Sequence, residues 1–235
     1  MALRIAAVSD LHGYLPEITT EIDIFIIAGD ISPLEIQFNK PKMKTWLETE
    51  FAYWIKELPV DKVYMIAGNH DAYFEDINQM QLAEFKTQCD FKLIYLENNY
   101  IVHRHEGQEY KIFGTPYCHI FGNWPFMVSE ETLINKFKEI PDNVDIIISH
   151  DPPFSYGDVD VSLGIPQHRN QRTFFHLGNK PLSERLTEIN YKLLVCGHIH
   201  SGDHTFNEQW KVVNVSYLNE VYQPAYPIFY TQLTK

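Results

Sequence analysis

Five short polar blocks, each placed directly after an apolar run of strand length, constrain this chain more than any other feature of its sequence. The blocks are Asp10-Leu11-His12, Gly29-Asp30, Gly68-Asn69-His70-Asp71, Ser149-His150 and Gly197-His198-Ile199-His200. The runs before them are rich in β-branched and other apolar residues, which is typical of strands. Since neighbouring parallel strands end at one edge of a sheet, side chains that are far apart in sequence are expected to converge there. The pattern indicates an α/β fold with a polar site at the strand ends.

The first three blocks fit one supersecondary unit. Residues 3–8, 22–28 and 62–67 are apolar runs of strand length, and each ends at a polar block. Between the second and third runs, residues 42–58 carry apolar side chains at helical spacing, with a proline at each end. A helical crossover favours parallel pairing of consecutive strands, so this part of the chain is predicted to form a β-loop-β-α-β unit.

The rest of the chain continues the alternation of helices and strands. Helices are predicted over residues 76–88, 129–139 and 182–189, and strands over 91–96, 100–103, 110–113, 144–148, 193–196, 211–215 and 228–233. A loop-rich interval, 152–181, precedes the last helix. This order predicts mixed sheets flanked by helices. Because no linker rich in Pro, Gly or Ser divides the chain, residues 1–235 are expected to form a single domain.

Composition and charge exclude several classes of protein. The 235 residues include 31 acidic and 19 basic side chains, a formal net charge of −12, which argues against extended nucleic-acid binding and against anionic membranes. No apolar stretch approaches the roughly 20 residues that span a bilayer, and the N-terminus lacks a signal-peptide pattern. A cytoplasmic location is therefore expected. A small anionic substrate attracted by local positive charge remains open, as does the oligomeric state.

The residue types in the blocks are those of a metal site. Asp10 and His12 are two positions apart, so a strand-end turn can direct both side chains toward one cation. Asp30 has two carboxylate oxygens and could bridge two cations, which suits hydrolytic sites whose metals lie roughly 3.5–4 Å apart. The other candidate ligands are Asn69, His150, His198 and His200. Mixed nitrogen and oxygen ligands suit Mn, Fe, Zn, Ni or Co better than Ca or Mg.

In this order the five blocks resemble the calcineurin-like metallophosphoesterase superfamily, whose pattern runs D-x-H, G-D, G-N-H-[DE], H and G-H-x-H. Every position of that pattern is present, and the blocks extend from Asp10 to His200. The resemblance implies a four-layer α/β/β/α sandwich of two mixed sheets flanked by helices, with two divalent transition-metal ions at the strand ends. The G-N-H-D form and the compact chain look most like the metallophosphoesterase domain-containing proteins and the class III cyclic-nucleotide phosphodiesterases.

The resemblance also implies a role for each residue of the blocks. One metal would be held by Asp10, His12, Asp30 and His200, and the other by Asp30, Asn69, His150 and His198. His70 would be the catalytic residue, which donates a proton to the leaving oxygen or stabilises its charge. Two divalent ions with only two ionised ligands leave a net positive centre, where a metal-bound hydroxide would attack phosphorus.

For several other residues near the blocks, the sequence allows two alternative roles. Asp71 either orients its histidine neighbour or has a structural role such as capping the following helix, and the structural role is favoured. Arg169 and Arg172, in the loop-rich interval, could clamp a phosphate, although solvent-exposed loop arginines are more common. His119 could face the site. The segment 124–126, Trp-Pro-Phe, either packs a loop, which is the favoured interpretation, or forms one wall of a substrate pocket.

The sequence therefore predicts a dinuclear-metal-dependent phosphoesterase that hydrolyses small phosphoesters, with phosphodiesters favoured over monoesters. Protein serine/threonine phosphatases of the same superfamily carry G-D-x-V-D-R-G, but Asp30 is followed here by Ile31 and Ser32, so that interpretation is disfavoured. A phosphomonoesterase or a nuclease of the same superfamily is one alternative. A non-catalytic scaffold that retains the fold is another, and it predicts metal binding without turnover or no metal binding at all.

Overall fold

The computed structural model of the protein describes residues 2–155, 159–160 and 175–235. Its strands, in chain order, are β1 (Leu3–Val8), β2 (Ile24–Ala28), β3 (Lys62–Ile66), β4 (Leu93–Tyr95), β5 (Asn99–His105), β6 (Gln108–Thr115), β7 (Ile146–Ser149), β8 (Val159–Asp160), β9 (Phe175–His176), β10 (Leu193–Cys196), β11 (Val212–Asn214) and β12 (Phe229–Leu233). Its helices are α1 (Lys40–Trp46), α2 (Ala52–Glu57), α3 (Ala72–Glu75), α4 (Gln79–Gln88), α5 (Glu130–Phe137) and α6 (Lys180–Glu188), with a π-helical segment, Leu47–Phe51, between α1 and α2. No helix in these described ranges is both long and apolar enough to cross a membrane.

Ten of these strands form two five-stranded sheets. The first has the order β12-β1-β2-β3-β4 and is parallel except for β12, which pairs antiparallel with β1. The second has the order β11-β10-β7-β6-β5 and is parallel except for β5, which pairs antiparallel with β6. Strands β8 and β9 form a separate antiparallel pair. Both large sheets are mixed, and the predicted parallel pairing of β1, β2 and β3 is confirmed.

Alternating side chains of the strands divide the apolar core into three layers. Ile26 of β2 and Ile148 of β7 belong to a cluster between the two sheets. Phe25, the neighbour of Ile26, packs in a cluster with helices α1 to α4, and Ile147, the neighbour of Ile148, packs with α5 and α6. Because successive side chains of a strand point to opposite faces, each sheet contacts the other sheet on one side and helices on the other. The four-layer α/β/β/α sandwich is thus confirmed.

Capping side chains decide where the helices begin. The hydroxyl of Ser129 accepts a hydrogen bond from the backbone N–H of Thr132 at 3.3 Å, which starts α5 where the sequence predicts. The helix predicted over residues 76–88 is observed as α4, which begins three residues later at Gln79, while α3 ends before the predicted start. Asn78 and Gln81 form a capping box that begins α4, because each side chain accepts a hydrogen bond from the other residue's backbone N–H. Hydrophobic periodicity does not detect such a local start signal.

All five polar blocks lie on the same side of the sandwich, where β1, β2, β3, β7 and β10 end. Contacts across the two sheets show this directly. Nδ1 of His150, after β7, lies 2.8 Å from the carbonyl oxygen of Ala28 at the end of β2. The backbone N–H of His198, after β10, donates to the carboxylate of Asp10, after β1, at 2.9 Å. We call this side the C-terminal edge, and the opposite side, where these strands begin, the N-terminal edge.

Candidate metal centre

Strained backbone conformations direct the block residues toward one site. Asp10, His12, Asp30 and His198 have φ angles of 54°, 41°, 52° and 69°, in the left-handed region that residues other than glycine rarely adopt. Such positions cluster at functional sites, where the surrounding structure maintains them. With this backbone, Asp10 and His12 both reach the C-terminal edge while Leu11 between them is buried in the helix-covered core.

Two glycines of the blocks are required by close approach of the backbone to buried acids. A Cβ atom at Gly68 would overlap the carboxylate of Asp30, and a Cβ atom at Gly197 would overlap the carboxylate of Asp10. Any larger residue would therefore displace a carboxylate that belongs to the candidate metal centre. This packing is a physical reason for the glycines of the G-N-H-D and G-H-x-H blocks.

The first ligand cluster consists of Asp10, His12 and His200, whose potential ligand atoms lie within 4.8 Å of one another. Nε2 of His200 is 3.2 Å from Oδ1 of Asp10. Nδ1 of His200 donates to the carbonyl oxygen of Asn219 at 2.9 Å, which leaves Nε2 as the ligand nitrogen. The hydroxyl of Ser216 donates to Oδ2 of Asp10 at 2.8 Å, so the carboxylate is held in orientation as well.

The second ligand cluster consists of Asp30, His150 and His198, again with ligand atoms within 4.8 Å. Nε2 of His150 is 3.3 Å from Oδ2 of Asp30 and 3.1 Å from the amide oxygen of Asn69. Nδ1 of His150 donates to the carbonyl oxygen of Ala28 at 2.8 Å, so Nε2 is the nitrogen that faces the cluster. All seven candidate ligands of the sequence analysis are thus brought together at the C-terminal edge.

Asp30 connects the two clusters. Its Oδ2 atom is 3.3 Å from Nε2 of His150 in the second cluster and 3.9 Å from Nε2 of His12 in the first. Its Oδ1 atom accepts a hydrogen bond from the backbone N–H of His70 at 2.7 Å. One carboxylate oxygen therefore lies between ligand atoms of both clusters, where a bridging ligand would have to be.

Burial and mutual attraction set the protonation of the imidazoles. Burial lowers the pKa of His12 to about 4 and the pKa of His198 to about 4. Burial acts in the same direction on His150 and His200, but the adjacent carboxylates outweigh it and raise their pKa values to about 10 and about 9. The carboxylates of Asp10 and Asp30 therefore favour the protonated form of the imidazoles beside them.

The donor set fits divalent cations. Both ring nitrogens of His12 are buried and have no hydrogen-bond partner, a costly state unless a cation or another group pairs with one of them. Asp10 and Asp30 are buried, and no Lys or Arg within the described ranges contacts either carboxylate. Buried carboxylates of this kind are paired or bind metals. Imidazole, carboxylate and amide donors together suit a transition metal.

His70 lies beside the first cluster without belonging to it. Its ring centroid is 4.9 Å from that of His12 and 4.5 Å from that of Trp124. Nδ1 of His70 is 2.5 Å from Oε1 of Gln37, which fixes the orientation of the ring. Gln37 belongs to no motif and follows no apolar run, so the sequence held no signal for this contact.

Asp71 has a structural role different from the predicted cap. It precedes α3, but its side chain makes no capping hydrogen bond to that helix. Its buried carboxylate instead accepts hydrogen bonds from the backbone N–H groups of Ile31, Ser32 and Gly68 at 2.8–3.1 Å. The carboxylate thereby ties the loop after Asp30 to the loop after β3 and keeps two blocks of the candidate centre in register.

A comparison with protein families agrees with this geometry. The family model for calcineurin-like phosphoesterases matches residues 3–202, which include all five blocks and both ligand clusters. The chain belongs to the calcineurin-like phosphoesterase family. The resemblance inferred from the blocks is therefore confirmed, and with it the assignment to a family of metallophosphoesterases.

Individual relatives of this calcineurin-like phosphoesterase have diverse names. Metallophosphoesterase domain-containing protein 1 of Homo sapiens is 26% identical over 249 residues, covering 95% of this chain and 69% of that protein. Probable rhamnogalacturonate lyase C of Emericella nidulans is 32% identical over 204 residues, but the chain spans only 17% of its length. The solved structure of phosphopantetheinyl hydrolase from Mycobacterium tuberculosis shares the fold, with a TM-score of 0.52, 15% identity, and coverage of 92% of this chain and 89% of that chain.

A cavity of about 490 Å³ opens over the two clusters of this calcineurin-like phosphoesterase. His119, Phe121, Trp124 and Tyr222 line it together with His70 and several of the candidate ligands. Trp124 thus forms part of the wall, as one interpretation of the sequence allowed, whereas Phe126 is buried in the core. Tyr222 was missed because it lies far from every block, between β11 and β12. Arg169 and Arg172 lie outside the described residues.

Proposed function

We propose that this protein is a metal-dependent phosphoesterase that uses two divalent transition-metal ions to hydrolyse small phosphoesters, with phosphodiesters favoured. The position of Asp30 carries the proposal, since its Oδ2 atom is 3.3 Å from His150 in one cluster and 3.9 Å from His12 in the other. A carboxylate that reaches two ligand clusters suits a two-metal hydrolytic site. Membership in the calcineurin-like phosphoesterase family supports the same class of reaction.

The residues of the two clusters divide between two ions in this proposal. One ion would be held by Asp10, His12, Asp30 and His200, and the other by Asp30, Asn69, His150 and His198. When bound, the two ions supply Lewis-acid stabilisation of a phosphoryl group and lower the pKa of a coordinated water toward neutrality. Two backbone carbonyls and one hydroxyl already hold these side chains in orientation, so the protein contributes a preorganised donor set.

His70 is proposed to assist the leaving group. Because Gln37 accepts a hydrogen bond from Nδ1, Nε2 is the nitrogen available to an ester oxygen in the cavity. A protonated His70 can give its Nε2 proton to that oxygen as the ester bond breaks. Gln37 keeps the ring oriented during the transfer. A positioned general acid of this kind typically contributes ~10²–10⁴-fold to the rate.

The shape of the cavity supports the emphasis on phosphodiesters. A diester carries two organic arms, and a volume of about 490 Å³ accommodates both within the range typical of small-molecule sites. Phe121 and Trp124 give the cavity an aromatic wall beside the clusters. One arm would depart near His70, and the other would pack against this wall.

Metal loading and two chromogenic substrates test the proposal. The purified protein is loaded with Mn²⁺ and assayed with bis-p-nitrophenyl phosphate and p-nitrophenyl phosphate, while its metal content is measured. We expect metal-dependent hydrolysis that is faster for the diester. If two ions bind but no transition metal supports hydrolysis of either ester, the protein is a scaffold. Faster hydrolysis of the monoester would contradict the emphasis on diesters.

A further inference from the structure

A second imidazole outside the ligand set is held by a buried carboxylate. Nδ1 of His119 donates to Oδ2 of Asp151 at 2.7 Å, and the backbone N–H of His119 donates to the same oxygen at 3.0 Å. Asp151 is fully buried, directly after the candidate ligand His150. His119 follows β6, which is parallel to β7, so both residues lie at the C-terminal edge.

The carboxylate of Asp151 is also hydrogen-bonded by Asn179, the N-cap residue of α6. The side-chain amide of Asn179 donates to Oδ2 of Asp151 at 3.0 Å. The amide oxygen of Asn179 accepts from the backbone N–H of Leu182 at 3.2 Å, and this capping bond fixes the amide at the start of α6. The carboxylate therefore has a defined orientation before any ligand enters, and it determines the orientation of the imidazole ring.

His119 and His70 lie near different ligand clusters of the candidate metal centre. The ring of His70 contacts His12 of the first cluster, with 4.9 Å between centroids. The ring of Phe121 contacts both His119 and His198 of the second cluster, with centroid separations of 5.7 Å and 5.2 Å. Both His70 and His119 line the cavity. Each ligand cluster thus has a nearby histidine, His70 or His119, that is not one of its candidate ligands.

We propose that His119 is a substrate-binding residue whose Nε2–H donates a hydrogen bond to a phosphoryl oxygen, and that Asp151 is its positioning residue. This inference rests on the proposed function, because it assumes a phosphoester in the cavity. No Lys or Arg is among the described residues that line the cavity, so the His119 imidazole is a hydrogen-bond donor that a phosphoryl oxygen could use on this wall. Because Asp151 accepts from Nδ1, Nε2 is the ring nitrogen that remains for a ligand.

The protonation of His119 agrees with this role. The hydrogen bond to Asp151 raises the pKa of His119 and outweighs the opposing effect of burial. A purely structural link between the two loops would not require the imidazole, since the backbone N–H of His119 already bonds to the same carboxylate oxygen. The His119 side chain also keeps about a third of its surface exposed, and it is one of the residues that line the cavity.

Binding of inorganic phosphate tests the role of His119 independently of turnover. The dissociation constant of phosphate is measured by calorimetry on the Mn²⁺-loaded wild type and on His119→Ala, His119→Gln and Asp151→Asn, with metal content determined for each. A hydrogen bond to a charged group corresponds to at least about tenfold in affinity, so we expect that loss in His119→Ala. His119→Gln, which keeps an N–H donor without the charge, and Asp151→Asn should lose less.

Steady-state kinetics add a second readout. For bis-p-nitrophenyl phosphate, His119→Ala should raise KM while kcat stays near the wild-type value, as expected when a binding contact is removed. His105→Gln is the matched control, because His105 lies on β5 outside the cavity and its loss should change neither quantity.

Several results would overturn the inference. These are an unchanged phosphate affinity in His119→Ala with full metal content, a fall in kcat without a rise in KM, and loss of metal from both His119→Ala and His119→Gln. Failure of a doubly metal-loaded wild type to bind phosphate would also overturn it. If the wild type binds phosphate but hydrolyses no ester, the proposed function fails, and the phosphate affinities alone still decide the role of His119.

Discussion

The two ends of strand β7 show two different ways of keeping a carboxylate in the protein interior. At the N-terminal edge, Asp145 precedes the strand and is nearly buried. Its carboxylate accepts hydrogen bonds from the ammonium group of Lys235 at 2.7 Å and from the backbone N–H of Lys111 at 2.8 Å. Lys192 lies 3.6 Å away. The negative charge at this end is therefore balanced by cationic side chains of the protein itself.

At the other end of β7, His150 faces Asp30, which no Lys or Arg in the described ranges contacts. The partners of this carboxylate are imidazoles and one backbone N–H. Beside it, His12 keeps two buried ring nitrogens without a partner. The difference teaches that burial of an acid does not by itself mark a metal site. What distinguishes the candidate metal centre is burial together with several imidazoles that converge on the carboxylates, in place of the Lys and Arg side chains that would otherwise balance the charge.

The largest expected effect is a loss of bound metal when a carboxylate of the C-terminal edge is replaced, with no loss for the matched replacement at the N-terminal edge. Asp30→Asn removes the candidate ligand that reaches both clusters, so bound metal should fall below two ions per chain and turnover should fall by more than the ~10–100-fold typical of outer-shell changes. Asp145→Asn, the matched change at the N-terminal edge, should keep both ions and full turnover. Elemental analysis and the bis-p-nitrophenyl phosphate assay measure both quantities. Two ions retained in Asp30→Asn would remove Asp30 from the bridging position.

A second prediction distinguishes ligands from the imidazole beside them. His70→Ala should keep both ions and lose about 10²–10⁴-fold in kcat, because general acid catalysis is removed while the ligand clusters stay intact. The loss should be greater for alkyl esters than for p-nitrophenyl esters, whose leaving group needs little protonation. If the metal content fell instead, His70 would belong to the ligands, and the separation drawn here would be wrong.

Metal removal should lower the free energy of unfolding by an amount that does not depend on the ion pairs of the N-terminal edge. At a free metal concentration of 100 times Kd, one site adds about 2.7 kcal/mol to the free energy of unfolding, and chelation removes that contribution. Urea unfolding of loaded and metal-free protein measures the difference. The same difference should appear in Asp145→Asn, because its charge balance is independent of the metal. If the difference in free energy of unfolding between loaded and metal-free protein were altered in Asp145→Asn, the two edges would be energetically coupled.

The smallest expected effect is a pH-dependent decrease in the free energy of unfolding when Asp145 at the N-terminal edge is replaced. Asp145→Asn should lower the free energy of unfolding at pH 7 by about 1–3 kcal/mol, since it weakens charge-assisted hydrogen bonds. Burial would raise the pKa of Asp145, but its hydrogen bonds with Lys235 and the backbone N–H of Lys111 outweigh it and lower the pKa. The stabilisation is therefore present above the unfolded pKa of about 4 and is lost as the pH falls through the lower folded value.

Unfolding of wild type and variant at pH 7, 5 and 3 checks this prediction. The difference between them should be constant from pH 7 to 5 and should shrink toward pH 3. A difference that stayed constant down to pH 3 would mean that packing, and not the charge of Asp145, accounts for the loss.

Strand ends were predictable because two local signals coincide there. An apolar run followed by Asp, His or Asn marks the end of a buried strand, so all seven candidate ligands could be named from the chain alone. Helix boundaries were less accessible, since the helix predicted over residues 76–88 begins only at Gln79, after the Asn78 capping box. Gln37 and Asn219 could not be found, because each comes from a segment without a periodic pattern. Ser216 follows a predicted strand, but its partner Asp10 lies next to it only in the folded chain.

The sequence by itself determined the fold class, the family and the identity of the candidate ligands, since these depend on residue types at the ends of successive strands. The family resemblance also implied how the ligands divide between two sets and that Asp30 connects them. Only the tertiary structure decided that Asp71 joins two loops instead of capping α3 and that Gln37 orients His70. It also decided that His119 meets Asp151. These facts depend on distances between segments that are remote along the chain, and such distances are set by the packing of the two sheets.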